Sequence, residues 1–169
     1  MRNEWPGAIT LEPMAQQPAD RDIIVNKKAR HDYTVLESLE AGIVLKGTEV
    51  KAVRNGHVQI REAFVRIDQG QAWLYNAHIE EYTHGNRFNH KPVVPRKLLL
   101  HKKEIAHLYD ESSVSGNTLV PLRVYWKNHR IKVEIGVCKG KAQHDKREDL
   151  KRRDADREMK RAVSNIRKR

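Results

Sequence analysis

The chain has 169 residues, room for one domain plus appendages, and carries 33 Lys+Arg against 22 Asp+Glu for a formal net charge of +11. So large a cation excess points to a polyanionic partner, while apolar runs of five residues or fewer exclude a bilayer-spanning helix and hence a membrane partner of that kind. The single cysteine, Cys138, excludes an internal disulfide and fits a reducing, cytoplasmic setting.

Residues 1–22 contain Pro6, Gly7, Pro13, Gln16, Gln17 and Pro18 with no steady period, which predicts a flexible N-terminal extension. This stretch has acids and prolines but no apolar h-region, so it does not read as a secretory signal. Residues 23–139 hold nearly all the aromatic and β-branched side chains and form the predicted core. Residues 140–169 form a basic tail. It has twelve Lys/Arg against six Asp/Glu and no aromatic residue, too little apolar surface to order itself alone.

Asn26-Lys27-Lys28-Ala29-Arg30-His31 sets three cations and a ring ahead of the first predicted strand, suited to phosphate contacts and stacking on an unpaired base. The alternative is the start of a solvated helix. Tyr33–Leu39 reads as a strand, continued by Gly42–Leu45 after a bend at Glu40-Ala41-Gly42. Thr48 is the predicted cap of a short helix holding Val50 and Val53, stopped by Asn55-Gly56. Ala63, Val65 and Ile67 alternate with Phe64 and Arg66. Asp68-Gln69-Gly70-Gln71 then makes a tight turn with Gly70 at positive φ, and Ala72–Ile79 is the partner strand, carrying Trp73 and Tyr75. Lys91–Lys97 mixes prolines with Arg96 and Lys97 into a stiff, positive loop. Lys102–Tyr109 places Ile105, Leu108 and Tyr109 on one side of a helix.

The clearest pair follows. Val120, Leu122, Val124 and Trp126 share one face of a strand, Lys127-Asn128-His129 turn the chain, and Ile131, Val133, Ile135 and Val137 share one face of the next. Lys127, Arg130, Lys132, Lys139 and Lys141 decorate this hairpin, and Cys138 is expected to pack as a small side chain. In the tail, Ala155, Met159, Ala162, Val163 and Ile166 lie on a narrow helical stripe. Glu148–Arg152, Asp149–Arg153 and Asp156–Lys160 add helix-supporting pairs. A helix this short is marginal in water, so the tail is expected to be disordered when free and to fold inside a negatively charged channel. The pattern as a whole predicts a mainly β protein: a small closed OB-like β-barrel with short inserted helices and a basic C-terminal tail.

No catalytic set emerges. The glycines form no phosphate loop, and no H-E-x-x-H or cysteine pair suggests zinc. Glu80 and Glu81, as strand neighbours, point to opposite faces. His78, His84 and His90 recur every six residues and share no helical face; neutral histidines in an RNA-facing loop are the expectation. No cofactor and no metal are expected.

Six blocks in order carry a resemblance: Asn26–Tyr33; Glu40–Ile43 with Gly47–Lys51; Gly85–His90; Arg96–His101; Tyr125–Asn128; and Lys139-Gly140-Lys141 leading into His144-Asp145-Lys146-Arg147. The chain resembles the small protein B family, the SsrA-binding proteins of bacterial trans-translation, from about Ile24 to Arg153. The resemblance implies an OB-like, non-enzymatic adaptor. It would bind the tRNA-like domain of transfer-messenger RNA and deliver it to stalled ribosomes. Elongation factor Tu and alanyl-tRNA synthetase would be met only through the RNA, and DNA not at all. Asn26, Arg30, His31, Glu40, Leu99 and Lys132 then resemble positions of the RNA face, and the basic Lys27, Arg87 and Lys127 join them. Gly140, Lys141, His144, Asp145, Lys146 and Arg147 resemble a motif placed in the ribosomal decoding centre, with the rest of the tail helical in the empty messenger channel. Gly140 would act as a hinge. Glu40 would accept from a base amino group or hold a neighbouring cation, and both readings stand; Leu99 would by default be core. Ala52 stands where serine is common in the family and Cys138 where alanine is. Residues 1–22 lie outside the resemblance, and beyond Arg153 the tail matches in character alone. Two competing readings are an RNA-processing nuclease using His31, Asp32 and a distant carboxylate, and an integral ribosomal-type protein.

Overall fold

The computed structural model describes residues 21–83, 89–141, 154–155 and 157–160. In chain order the elements are β1 (Arg21–Val25), α1 (Lys27–Asp32), β2 (Tyr33–Ile43), α2 (Gly47–Arg54), β3 (Val58–Gln59), β4 (Phe64–Asp68), β5 (Gln71–Tyr75), β6 (His78–Ile79), β7 (Arg96–Leu99), α3 (Lys102–Ser113), β8 (Asn117–Lys127) and β9 (Arg130–Gly140). The protein is mainly β. One seven-stranded sheet runs β1-β8-β4-β5-β7-β2-β9, and β9 also pairs with β8, so six strands form a ring of antiparallel ladders with β1 laid on its outside edge. The short β3 and β6 pair separately.

The strongest sequence alternation makes the longest ladder. β8 and β9 pair from Asn117↔Lys139 to Lys127↔Arg130. The two-residue turn between them holds Asn128 and His129 at φ 48° and 60°, the left-handed geometry that matches strand twist. Ile131, Val133, Ile135 and Val137 all enter the main core, as the period predicts. β8 departs from its predicted single face. Leu122 is an extra residue opposite β9, between Pro121 and Arg123, and this bulge shifts the alternation by one. Val124 and Trp126 therefore pack on the main core, whereas Val120 and Leu122 join Ala29 and Cys138 in a second cluster beneath α1. Gly136 makes that cluster possible: a Cβ there would lie 2.9 Å from Leu122 Cδ1. Cys138 packs with full burial, which pushes its thiol up to about 11 and makes it inert.

Several boundaries differ from the sequence reading. β2 runs unbroken through Glu40-Ala41-Gly42 because β9 pairs with it from Tyr33↔Gly140 to Gly42↔Lys132; the irregularity sits earlier, between Val35 and Glu37. β1 starts at Arg21, inside the predicted extension, because β8 supplies its partner: Arg21↔Trp126. Asn26–Asp32 takes the helical alternative. The β5 strand stops at Tyr75, and Asn76, at φ 55°, redirects the chain into β6. Turn residues Gln69 and Gly70 both have positive φ. α3 is longer than predicted, and of its apolar stripe Leu108 is buried while Tyr109 is exposed. Gly140 is the last paired residue of β9, and Lys141 N–H still donates to Asp32 O at 3.0 Å, so strand order passes the predicted 139/140 boundary. Within the tail, 154–155 and 157–160 are helical and exposed. Ala162, Val163 and Ile166 lie outside the described residues.

A buried ion pair joins α2 to β7. Arg96, only 2% exposed, donates from Nε to Glu49 Oε1 at 2.9 Å, from Nη1 to Ala77 O and Val94 O, and from Nη2 to Pro92 O. The other carboxylate oxygen of Glu49 accepts from Lys46 N–H at 2.7 Å, so Glu49, rather than the predicted Thr48, closes the start of α2. Thr48 Oγ1 instead donates to His90 Nδ1 at 3.0 Å, and His90 Nε2 donates to Ile79 O at 3.2 Å. Arg96 and His90 thus leave the loop surface expected of them, and interior carbonyls and the Glu49 carboxylate replace the water their donors would otherwise meet. Arg96→Met strands a buried carboxylate and is expected to cost about 3–5 kcal/mol in urea unfolding, with the Glu49→Leu/Arg96→Met double variant more stable than Arg96→Met alone. A single-variant loss under about 1 kcal/mol would show the pair to be idle.

Candidate nucleic-acid interface

The predicted RNA-face residues fall into two groups at opposite ends of β2. Glu40 lies seven residues along the strand from Tyr33, a separation of roughly 23 Å at about 3.3 Å per residue.

The first group surrounds α1. Asn26 caps this helix, its Oδ1 accepting from Ala29 N–H at 3.0 Å. Its Nδ2 donates to Ile60 O at 2.8 Å and to Pro121 O at 3.1 Å, and its backbone N–H donates to Leu122 O. Asn26 is buried with both amide hydrogens used within the protein, so it positions the helix and offers no donor outward. Lys27 and Arg30 are exposed on that helix. His31 is half-buried, and its Nδ1 donates to Asp32 Oδ1 at 2.8 Å. Lys28 is paired with Glu62 at 2.6 Å. Lys27, Lys28 and His31 line a groove with Gln59 and Arg61, two polar residues that local sequence did not mark. Lys141 follows the last ladder residue here, its Nζ 3.4 Å from Arg30 O, so Gly140 and Lys141 lie beside the α1 group.

The second group is organised by Glu40. One carboxylate oxygen accepts from the Tyr125 hydroxyl and from Lys127 Nζ at 2.9 Å; the other lies 3.3 Å from Lys132 Nζ. Of the two roles open to Glu40, holding neighbouring cations is the one its contacts fill. Two lysines share one carboxylate, so the cluster keeps a positive surplus whose positions are set. Leu99 is 52% exposed rather than core. It pairs with Gly42, where a Cβ would come 3.2 Å from Leu99 Cβ, and it lines the same depression as Glu40 and Lys132.

Behind this cluster stands a support that local sequence did not reveal. Tyr125, 2% exposed, lies under the Arg123 guanidinium, 4.2 Å from its ring centroid. Arg123 in turn pairs with Asp22 at 2.8 Å and with Glu134, which together raise its pKa further. The signal was absent because these partners come from three strands. Arg87, His144, Asp145, Lys146 and Arg147 lie outside the described residues.

Lys127, the Tyr125 hydroxyl and Lys132 hold the Glu40 carboxyl well below its usual range, at about 2. A lowered carboxyl contributes its stability fully above its ordinary value of 4.5 and loses it as pH falls toward 2. Wild-type protein should therefore exceed Glu40→Gln in urea stability at neutral pH, with the difference vanishing near the acid limit. A difference that is independent of pH would contradict this account of Glu40.

Most of the chain is similar to known proteins. The family described as SmpB protein matches residues 23–165. An SsrA-binding protein of Carboxydothermus hydrogenoformans is 53% identical over 144 residues, covering 85% of this chain and 97% of the relative. One of Enterococcus faecalis is 53% identical over 146 residues, covering 86% and 95%. A solved chain from a structure described as "tmRNA-SmpB: a journey to the center of the bacterial ribosome" is 42% identical with a TM-score of 0.61, covering 75% of this chain and 93% of that one. By sequence over most of its length, and by fold, the chain belongs to the SmpB protein family.

Proposed function

We propose that the protein is a non-enzymatic adaptor that binds the tRNA-like domain of transfer-messenger RNA (SsrA) and delivers it to stalled ribosomes for trans-translation. Relatives are named SsrA-binding proteins, and a similar solved chain comes from a structure described as tmRNA-SmpB in the bacterial ribosome. The observation that carries the reading is the Glu40 cluster. Lys127 and Lys132 are held by one carboxylate beside an exposed leucine, a rigid positive surface suited to the backbone of one folded RNA. Lys27, Arg30 and His31 add a second contact region on α1, positioned by Asn26, and Arg87 is a further RNA contact in this reading.

The ring of six strands is the OB-like barrel of this reading, its platform widened from the expected 23–139 by β1, which begins at Arg21, and by Gly140 at the end of β9. The basic tail from Gly140 enters the decoding centre with Lys141, His144, Asp145, Lys146 and Arg147 and becomes helical in the empty messenger channel. No bond is made or broken by the protein, no metal or cofactor is required, and elongation factor Tu and alanyl-tRNA synthetase are reached through the RNA. The setting is the cytoplasm, where ribosomes stall.

Titrating the protein against a transcript of the tRNA-like domain and against a duplex of equal length tests the reading: the folded transcript should bind more tightly. Lys132→Ala should weaken transcript binding, with its log–log salt slope reduced by about 1 and the fold left intact. A chain truncated after Lys141 should keep transcript affinity and lose ribosome rescue in a reconstituted translation assay. Loss of transcript affinity on truncation would overturn the division between barrel and tail.

A further inference from the structure

The β4–β5 hairpin carries residues that the Glu40 and α1 groups do not use. Val65, Ala72, Leu74 and Leu98 point into the core, so the two-residue period turns Phe64, Arg66, Trp73, Tyr75 and Lys97 outward. Phe64 and Tyr75 are opposite one another and their rings are stacked, with centroids 5.4 Å apart and planes inclined by 12°. Phe64 remains 39% exposed. Tyr75 is not free to swing away, because its hydroxyl donates to Asp68 Oδ2 at 2.8 Å. Arg66 Nε lies 3.1 Å from Asp68 Oδ1 and compensates that carboxylate. Next along the face, Arg66 is opposite Trp73, and Trp73 is opposite Lys97. Three aromatic rings thus alternate with two cations on one outward surface.

We propose that this surface is a second RNA site, which takes unpaired nucleotides by stacking bases on Phe64, Tyr75 and Trp73 while Arg66 and Lys97 meet phosphates. The proposal rests on the preceding reading only in taking RNA as the ligand. An apolar protein partner fits poorly, since charged side chains separate the rings and the chain as a whole carries +11. A duplex fits poorly as well, because its base faces are already stacked and cannot reach the rings. A single strand supplies both the π-faces and the phosphates that this alternation matches. The site is continuous with the Glu40 cluster. Lys97 is two residues before Leu99 on β7, Leu99 pairs with Gly42, and Gly42 pairs with Lys132. Trp73 and Gly42 are therefore two strand spacings apart across the sheet and two residues apart along it, about 12 Å. An RNA held at Lys132 has a path across Leu99 and Lys97 for its unpaired segment.

The test uses the full chain and an unstructured oligouridine. Phe64→Leu and Trp73→Leu are each expected to weaken oligouridine binding about tenfold, with affinity for the folded tRNA-like transcript unchanged. Lys132→Ala should do the reverse. Equal oligouridine affinity in wild type and Phe64→Leu overturns the proposal, as does equal weakening for duplex RNA. Should either variant unfold, photocrosslinking of thiouridine-substituted oligouridine to wild-type protein decides. Crosslinks within residues 64–75 support the site, and crosslinks confined to the Lys27–His31 and Lys127–Lys132 segments, or none, overturn it. If wild type shows no preference for the tRNA-like transcript yet loses oligouridine affinity on Phe64→Leu, the assigned main ligand fails and this site stands.

Discussion

A guanidinium removed from water needs its charge and its donors matched inside the protein, and the way Arg96 meets that need constrains much of the rest. Its four acceptors come from α2, from the segment after β5 and from the turns before β7. Satisfying them together sets where α2 sits against the sheet and where β7 begins. β7 then pairs with β5 on one side and β2 on the other, so the ion pair lies at the joint through which the ring of strands is completed. Glu49 contributes twice, as the counter-charge and as the acceptor that closes the first turn of α2.

Two kinds of charge placement follow. Buried or half-buried charges are matched closely: Glu49 by Arg96, and Arg123 by Asp22 and Glu134. These stabilise geometry and leave little for a partner. Around Glu40 two lysines share one carboxylate at the surface. A carboxylate on an RNA-binding face looks unfavourable by charge count alone. Its effect is to restrict long lysine side chains that would otherwise lose rotamer freedom on meeting phosphate. The stack of Arg123 on Tyr125 carries the same ordering inward, because the Tyr125 hydroxyl is the third partner of Glu40.

The legibility of the candidate interface varied by residue. Lys127 and Lys132 could be read as surface cations because they alternate with buried aliphatics on a strongly periodic hairpin. Leu99 could not be placed by period, since Arg96–Leu99 is short and its neighbour Leu98 is the buried one; exposure of Leu99 depends on β7 lying beside Gly42. Arg96 looked like a basic loop residue because composition counts its charge without showing its acceptors. Asn26 sits among cations in the sequence, yet its amide is consumed by carbonyls at positions 60 and 121. The β8 bulge was equally silent, because a single inserted residue leaves the local alternation intact on each side while changing which face it addresses.

From the sequence alone came the mainly β character, the late hairpin with its turn, the concentration of positive charge, the helical period of the tail and the family. These depend on neighbours a few residues apart, or on composition, and so are written locally. Which strand completes the ring, which cation is buried and which is offered outward, and how Glu40 collects Tyr125, Lys127 and Lys132 were decided by tertiary structure. Those outcomes depend on desolvation and on partners 34 to 95 positions away along the chain, a sum that no local pattern contains.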